Sequence, residues 1–217
     1  MAKTKPVYVC TECGQDSPKW IGRCPGCGQW NTMKELTAAP SKASDSITQS
    51  LHVLTGMERH APKPVLLSTV KAEKEPRYLT SDAELDRVLG GGLVPGSLTL
   101  LGGEPGIGKS TLLLQTALLM QGRKLLYVSG EESERQIKLR ADRIALHAND
   151  LLLLCETRLE QVFAHIKNTC PDVVIIDSIQ TMALESVDAS PGAVTQIREC
   201  AAMLLKFAKE SGVPVIL

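Results

Sequence analysis

Aromatic residues are scarce: two Trp, three Tyr and two Phe amount to 3% of 217 residues. A core must therefore be filled by Leu, Ile, Val and Ala, which suits a parallel sheet buried on both faces by helices. No apolar run approaches the roughly 18 residues of a membrane span, which excludes an ordinary transmembrane helix. Lysines but no apolar stretch precede Cys10, so the N-terminus does not read as a secretory signal. Charge of one sign is also missing. Lys plus Arg and Asp plus Glu are 24 each, and this balance argues neither for nor against a polyanionic partner. Residues 1–77 lean basic, with 11 cationic against 7 acidic side chains, a weak pointer to an acidic partner at that end. We expect a cytoplasmic protein, in which seven cysteines are thiols or metal ligands and not a disulfide framework. With 43% hydrophobic and 22% charged residues, the chain is of ordinary globular composition and long enough for one or two domains.

Three regions differ in composition. Residues 1–36 hold two cysteine pairs and both tryptophans. Residues 37–76 are rich in Ser, Thr, Ala, Lys and Pro, lack aromatics and read as a linker. From 77 to 217 apolar strands alternate with amphipathic stretches. Strands are expected at 97–101, 124–129, 151–155, 172–177 and 213–217, and helices at 111–121, 131–146, 159–168 and from about 194 to 209. Alternation on this scale predicts a parallel α/β sheet with crossover helices. The final strand has no turn or helix after it, which suggests an N-terminal fragment of a longer protein.

Gly103-Glu104-Pro105-Gly106-Ile107-Gly108-Lys109-Ser110 fits the spacing G-x-x-x-x-G-K-[ST] between a strand and a helix. Glycines let successive backbone N–H groups curl around phosphate oxygens, and the helix N-terminus adds partial positive charge. Lys109 then reaches the β- and γ-phosphates of ATP. Ser110 is placed for Mg²⁺, and Thr111 for the α-phosphate. Asp177 closes the apolar run Val173–Ile176 and is the expected second Mg²⁺ partner, through water; its plainer role is a turn or cap residue. A carboxylate that orients the attacking water is also needed. Glu131 and Glu132, just past the strand at 124–129, compete for that task, and either one also suits a helix N-terminus.

Cys10-Thr-Glu-Cys13 and Cys24-Pro-Gly-Cys27 each put two thiols three residues apart, followed by glycine. Four such sulfurs suit tetrahedral Zn²⁺, and a segment with so little apolar content needs a staple. Iron–sulfur ligation and redox dithiols are the alternatives. Cys155, Cys170 and Cys200 show no such spacing and read as small buried hydrophobes. Trp20 and Trp30 either stack on bases or pack beside the metal turn. The four histidines form no constellation.

Together these motifs resemble the bacterial RadA/Sms family of RecA-like DNA repair ATPases. The carrying segments are 10–27, 84–96, 102–114, 127–133, 175–181 and 190–200. The resemblance implies a RecA-like phosphate-loop core behind a four-cysteine zinc finger. It implies a DNA-dependent ATPase that processes recombination intermediates and drives branch migration on single-stranded and branched DNA. A homohexamer, and a recombinase or helicase partner on the zinc finger, also follow from it. It favours Glu131 over Glu132 as the water-polarising residue, beside catalytic Lys109. The family's Lys-Asn-Arg-Phe-Gly motif and protease-like domain are not in these 217 residues. Where relatives have a Ser-Thr-Gly-type run, this chain has Leu79-Thr-Ser-Asp-Ala, in which Ser81 and Glu84 are expected to form a capping box. A nucleotide-gated interaction module without motor action is the alternative function. A small-molecule kinase is weaker because it leaves the cysteine pairs unused.

Overall fold

The computed structural model describes residues 7–36, 64–70, 76–144 and 150–217. Most of the expected linker, 37–76, lies outside the described residues. The first unit is a small antiparallel sheet of β1 (Val7–Cys10), β2 (Asp16–Ser17) and β3 (Met33–Leu36), ordered β2-β1-β3. Its interior is Cys10, Cys24 and Met33 with Tyr8 against them. Such a core is too small to hold a fold alone, so the thiols are where cross-linking must come from.

Helix α1 (Ala83–Val88) starts differently from the expected capping box. Ser81 has a φ of +63°, whereas an N-cap needs extended backbone. Asp82 supplies that conformation, and its side chain accepts from the N–H groups of Glu84 and Leu85 at 3.0 and 2.9 Å. Glu84 pairs with Arg87 instead.

The larger sheet contains β4 (Leu98–Thr99), β5 (Leu125–Ser129), β6 (Leu151–Cys155), β7 (Val173–Asp177) and β8 (Val215–Ile216), all parallel in the order β4-β8-β7-β5-β6. The expected strands at 97–101 and 213–217 are shorter than their apolar runs. Four helices cover the sheet: α2 (Lys109–Leu119), α3 (Glu134–Ile144), α4 (Leu159–Thr169) and α5 (Val194–Ser211). On one face Leu126, Val128, Val174 and Ile176 meet Phe163 of α4 and Leu204 and Phe207 of α5. The two phenyl rings tilt against each other at 5.6 Å. On the other face Leu125, Tyr127, Val173 and Ile175 meet Leu113, Leu114 and Ala117 of α2 and Ile137 of α3. Adjacent strand residues thus serve opposite faces that are both dry, so the strands read as unbroken apolar runs. Few aromatics suffice because both Phe and Tyr127 are spent in this core.

Two cysteine expectations need correction. Cys155 and Cys170 are exposed, and only Cys200 of the three is buried. Cys155 ends β6, which pairs with β5 on one side through Ser129 and, among the described residues, has no strand on the other. Cys170 caps α4 in the left-handed conformation, φ +47°, which turns it outward. Burial pushes the Cys200 thiol up to about 12. Among the described residues no helix is long and apolar enough to cross a membrane.

Candidate active site

The glycine-rich loop leaves β4 at the carboxyl edge of the sheet and enters α2 two residues earlier than expected, at Lys109. Gly108 is the N-cap with φ +102°, a left-handed conformation that favours glycine. A Cβ built on Gly102, Gly106 or Gly108 would meet nothing within 4 Å. The loop therefore presents a bare backbone cradle to which phosphate oxygens can come close, with the first N–H groups of α2 at its rim. Lys109 lies folded over it, its Nζ donating to the carbonyls of Gly103 and Glu104 at 2.8 Å each.

Ser110, in the first turn of α2, donates its hydroxyl to Asp177 Oδ1 at 3.0 Å across 67 residues of sequence. Asp177 closes β7, and the peptide to Ser178 is cis. Its other oxygen, Oδ2, accepts from the Tyr127 hydroxyl at 2.6 Å. A hydroxyl and a carboxylate this close form the hard oxygen pair that Mg²⁺ takes, so the residues fit that ion.

Glu131 and Glu132 diverge. The expected helix at 131–146 begins only at Glu134, because Ser133 and Gln136 make the N-terminal box: the Ser133 N–H and hydroxyl donate to Gln136 Oε1 at 2.9 and 2.7 Å. Both glutamates therefore sit in the turn after β5. Glu132 points to α3, where it forms a half-buried ion pair with Arg140. Glu131 points to the strand carrying Asp177 and accepts from the Ser178 hydroxyl at 2.8 Å. Gly130 makes this turn possible: a Cβ there would lie 2.1 Å from Thr181 Oγ1. Motif spacing had singled out neither Tyr127 nor Ser178. Both lie in the segments 127–133 and 175–181 that carry the resemblance, where Ser178 follows the strand-end acid and Tyr127 is a phenol in an apolar strand.

The loop after β7 is held from α5. Gln196, 2% exposed, accepts from the Leu184 N–H at 3.0 Å and shares its amide hydrogens among the carbonyls of Leu184, Val187 and Ala189 at 3.1 Å.

In the small sheet the four Sγ atoms of Cys10, Cys13, Cys24 and Cys27 lie within 4.8 Å of one another. Cys10 to Cys27 is 3.6 Å and Cys13 to Cys24 is 3.4 Å. A tetrahedral ion with sulfurs at about 2.3 Å needs edges of about 3.8 Å, so the donor set fits Zn²⁺. The two turns are copies. Gly14 and Gly28, at φ +74° and +72°, return their N–H groups to the carbonyls of Cys10 and Cys24 at 3.0 and 2.9 Å. Burial pushes the Cys10 thiol up, yet hydrogen bonds with Thr32 and the backbone of Cys13 and Glu12 outweigh it and bring it to about 6. Trp20 and Trp30 are 57% and 69% exposed, yet their rings meet over Gly22, where a Cβ would lie 3.6 and 3.7 Å from them, so they pack beside the second cysteine turn and keep an open face. The small sheet touches the larger unit through an ion pair of Lys34 with Asp188 and a bond from Thr195 Oγ1 to the Thr11 carbonyl at 3.4 Å.

The AAA domain family matches residues 61–217, and the family described as rubredoxin metal binding domain matches residues 8–35. DNA repair protein RadA of Bacillus subtilis is 45% identical over 221 residues, covering 100% of this chain and 47% of that protein. DNA repair protein RadA of Escherichia coli is 46% identical over 221 residues with the same coverage. The chain spans about half the length of the curated relatives it matches. A crystal structure of the RadB recombinase is 29% identical, with a TM-score of 0.47 over 64% of this chain and 68% of that one. The resemblance read from the motifs is thus shown in the sequence comparison.

Proposed function

This chain belongs to the AAA domain family, and on that premise we propose that it is the ATP-hydrolysing portion of a DNA repair enzyme. In this reading, residues 1–36 are a zinc finger, 37–76 a linker and 77–217 the RecA-like core. The supporting observation is the meeting of Ser110 with Asp177 at the mouth of the glycine cradle. Gly103 to Thr111 hold the phosphates of ATP. Lys109 leaves the two loop carbonyls for the β- and γ-phosphates, replacing neutral acceptors with charged ones. Mg²⁺, when bound, neutralises charge between the phosphates. Ser110 would hold it directly and Asp177 through water. Glu131, released from Ser178, orients the attacking water as a general base. Glu132 has no such freedom, because leaving Arg140 would strand a half-buried cation.

Cys10, Cys13, Cys24 and Cys27 hold zinc and keep the finger folded. Hydrolysis drives branch migration on single-stranded and branched DNA in a homohexamer, with Trp20 and Trp30 exposed for stacking on bases. A recombinase or helicase partner docks on the finger. The balanced charge favours one second reading, a nucleotide-gated interaction module without motor work. ATP turnover of the full-length protein separates them. The first reading expects turnover to rise with single-stranded or branched DNA and to vanish in Lys109→Ala. Turnover indifferent to DNA, or intact in the variant, overturns it.

A further inference from the structure

Asp177 has two oxygens, and the proposed magnesium site uses the side that faces Ser110. The other oxygen is occupied by a residue with no assigned role. The β5–β7 register pairs Tyr127 with Ile175, which places Asp177 two residues further along β7 on the same face, the diagonal neighbour that a long aromatic side chain can reach. The ring is 1% exposed and belongs to the apolar layer with Leu113 and Leu114 of α2. Only its hydroxyl emerges at the site. There it donates to Asp177 Oδ2 at 2.6 Å and lies 3.5 Å from the Ser110 carbonyl.

We propose that Tyr127 is a positioning residue for magnesium, its hydroxyl locking the rotation of the Asp177 carboxylate so that Oδ1 faces Ser110. The inference rests on the reading of Ser110 and Asp177 as the magnesium pair. A carboxylate rotates readily about its last bond, and a single hydrogen bond on Oδ1 does not stop it. A short bond on Oδ2 from a ring fixed in the core does. Ser110 gives up its bond to Asp177 when it turns to the ion, so Tyr127 is then the anchor that remains.

The test uses full-length protein and binding of a fluorescent ATP analogue, titrated with free Mg²⁺. Tyr127→Phe keeps the ring and removes only the donor. We expect its half-saturating Mg²⁺ to rise about fivefold to tenfold, the scale of one net hydrogen bond, with magnesium-free nucleotide binding and kcat at saturating Mg²⁺ unchanged. In an Asp177→Asn background the same change should have no further effect, because the residue acts through Asp177. An unchanged midpoint in Tyr127→Phe, with normal wild type, overturns the proposal alone. So does an equal shift in both backgrounds, which marks a merely structural role. Wild type without magnesium-dependent binding overturns the underlying reading and the proposal together.

Discussion

The Ser178 hydroxyl donates to Glu131 Oε1 at 2.8 Å, linking the turn after β5 to the residue that follows Asp177. Glu132, one residue on, is tied to Arg140 in the opposite direction. The two carboxylates are therefore separable by experiment. Glu131→Gln should lower ATP turnover by about 10²–10⁴-fold, the contribution of a general base, with nucleotide affinity intact. Glu132→Gln should keep turnover within about threefold but lower the melting temperature, since Arg140 loses its partner. The reverse pattern would move the proposed base to Glu132.

Gln196 offers a test of the loop that follows the site. Gln196→Leu has similar bulk but strands the buried N–H of Leu184 and takes a donor from the carbonyl of Ala189, while the carbonyls of Leu184 and Val187 keep the N–H groups of Val187 and Ala189. Unfolding in urea should show a loss of about 1–3 kcal/mol per stranded buried group at most, and clearly more than 1 kcal/mol in total. A variant as stable as wild type would mean that water replaces the amide.

The cysteines predict a thiol count. Cys155 and Cys170 are exposed, and Cys200 is buried with its thiol held up to about 12. In native protein a thiol reagent should titrate two cysteines, with a strong chelator adding the four of the cluster and unfolding needed for Cys200. The chelator should also melt the small sheet, because its apolar interior is a few residues. Six fast thiols without chelator would rule out a bound metal.

Glu156 sets an acid limit. The Arg158 side chain beside it, and then the backbone N–H groups of Arg158 and Thr157, pull its carboxyl down to about 2. Its folded value lies below the ordinary value of about 4.3. The contribution is thus complete above that ordinary value and lost as pH falls toward 2. Melting temperature between pH 5 and 3 should fall less steeply in Glu156→Gln than in wild type. Parallel curves would show that the pair contributes nothing.

Much of the site was legible in the sequence because its chemistry is local. The glycine spacing from Gly103 to Gly108, the lysine after it and the C-x-x-C-G turns each fold from contiguous residues, so residue type and spacing alone define them. Element ends were less so. The box at Ser133 and Gln136 displaced the start of α3 from Glu131, and the left-handed Ser81 moved a cap to Asp82. Cys155 is exposed at the end of β6 although its run of leucines reads as buried, because Leu151, Leu153 and Leu154 take the contacts with the two cores.

The amino-acid order by itself determined the phosphate cradle, the four-thiol cluster and the alternation of apolar strands with helices. Only tertiary structure decided that Ser110 meets Asp177, that Tyr127 takes the second oxygen and that Glu131 turns toward Ser178 while Glu132 turns away. The reason is physical. Those contacts depend on which strands lie side by side and in what register. That arrangement is set by burial of both sheet faces over the whole domain, not by any stretch of neighbouring residues.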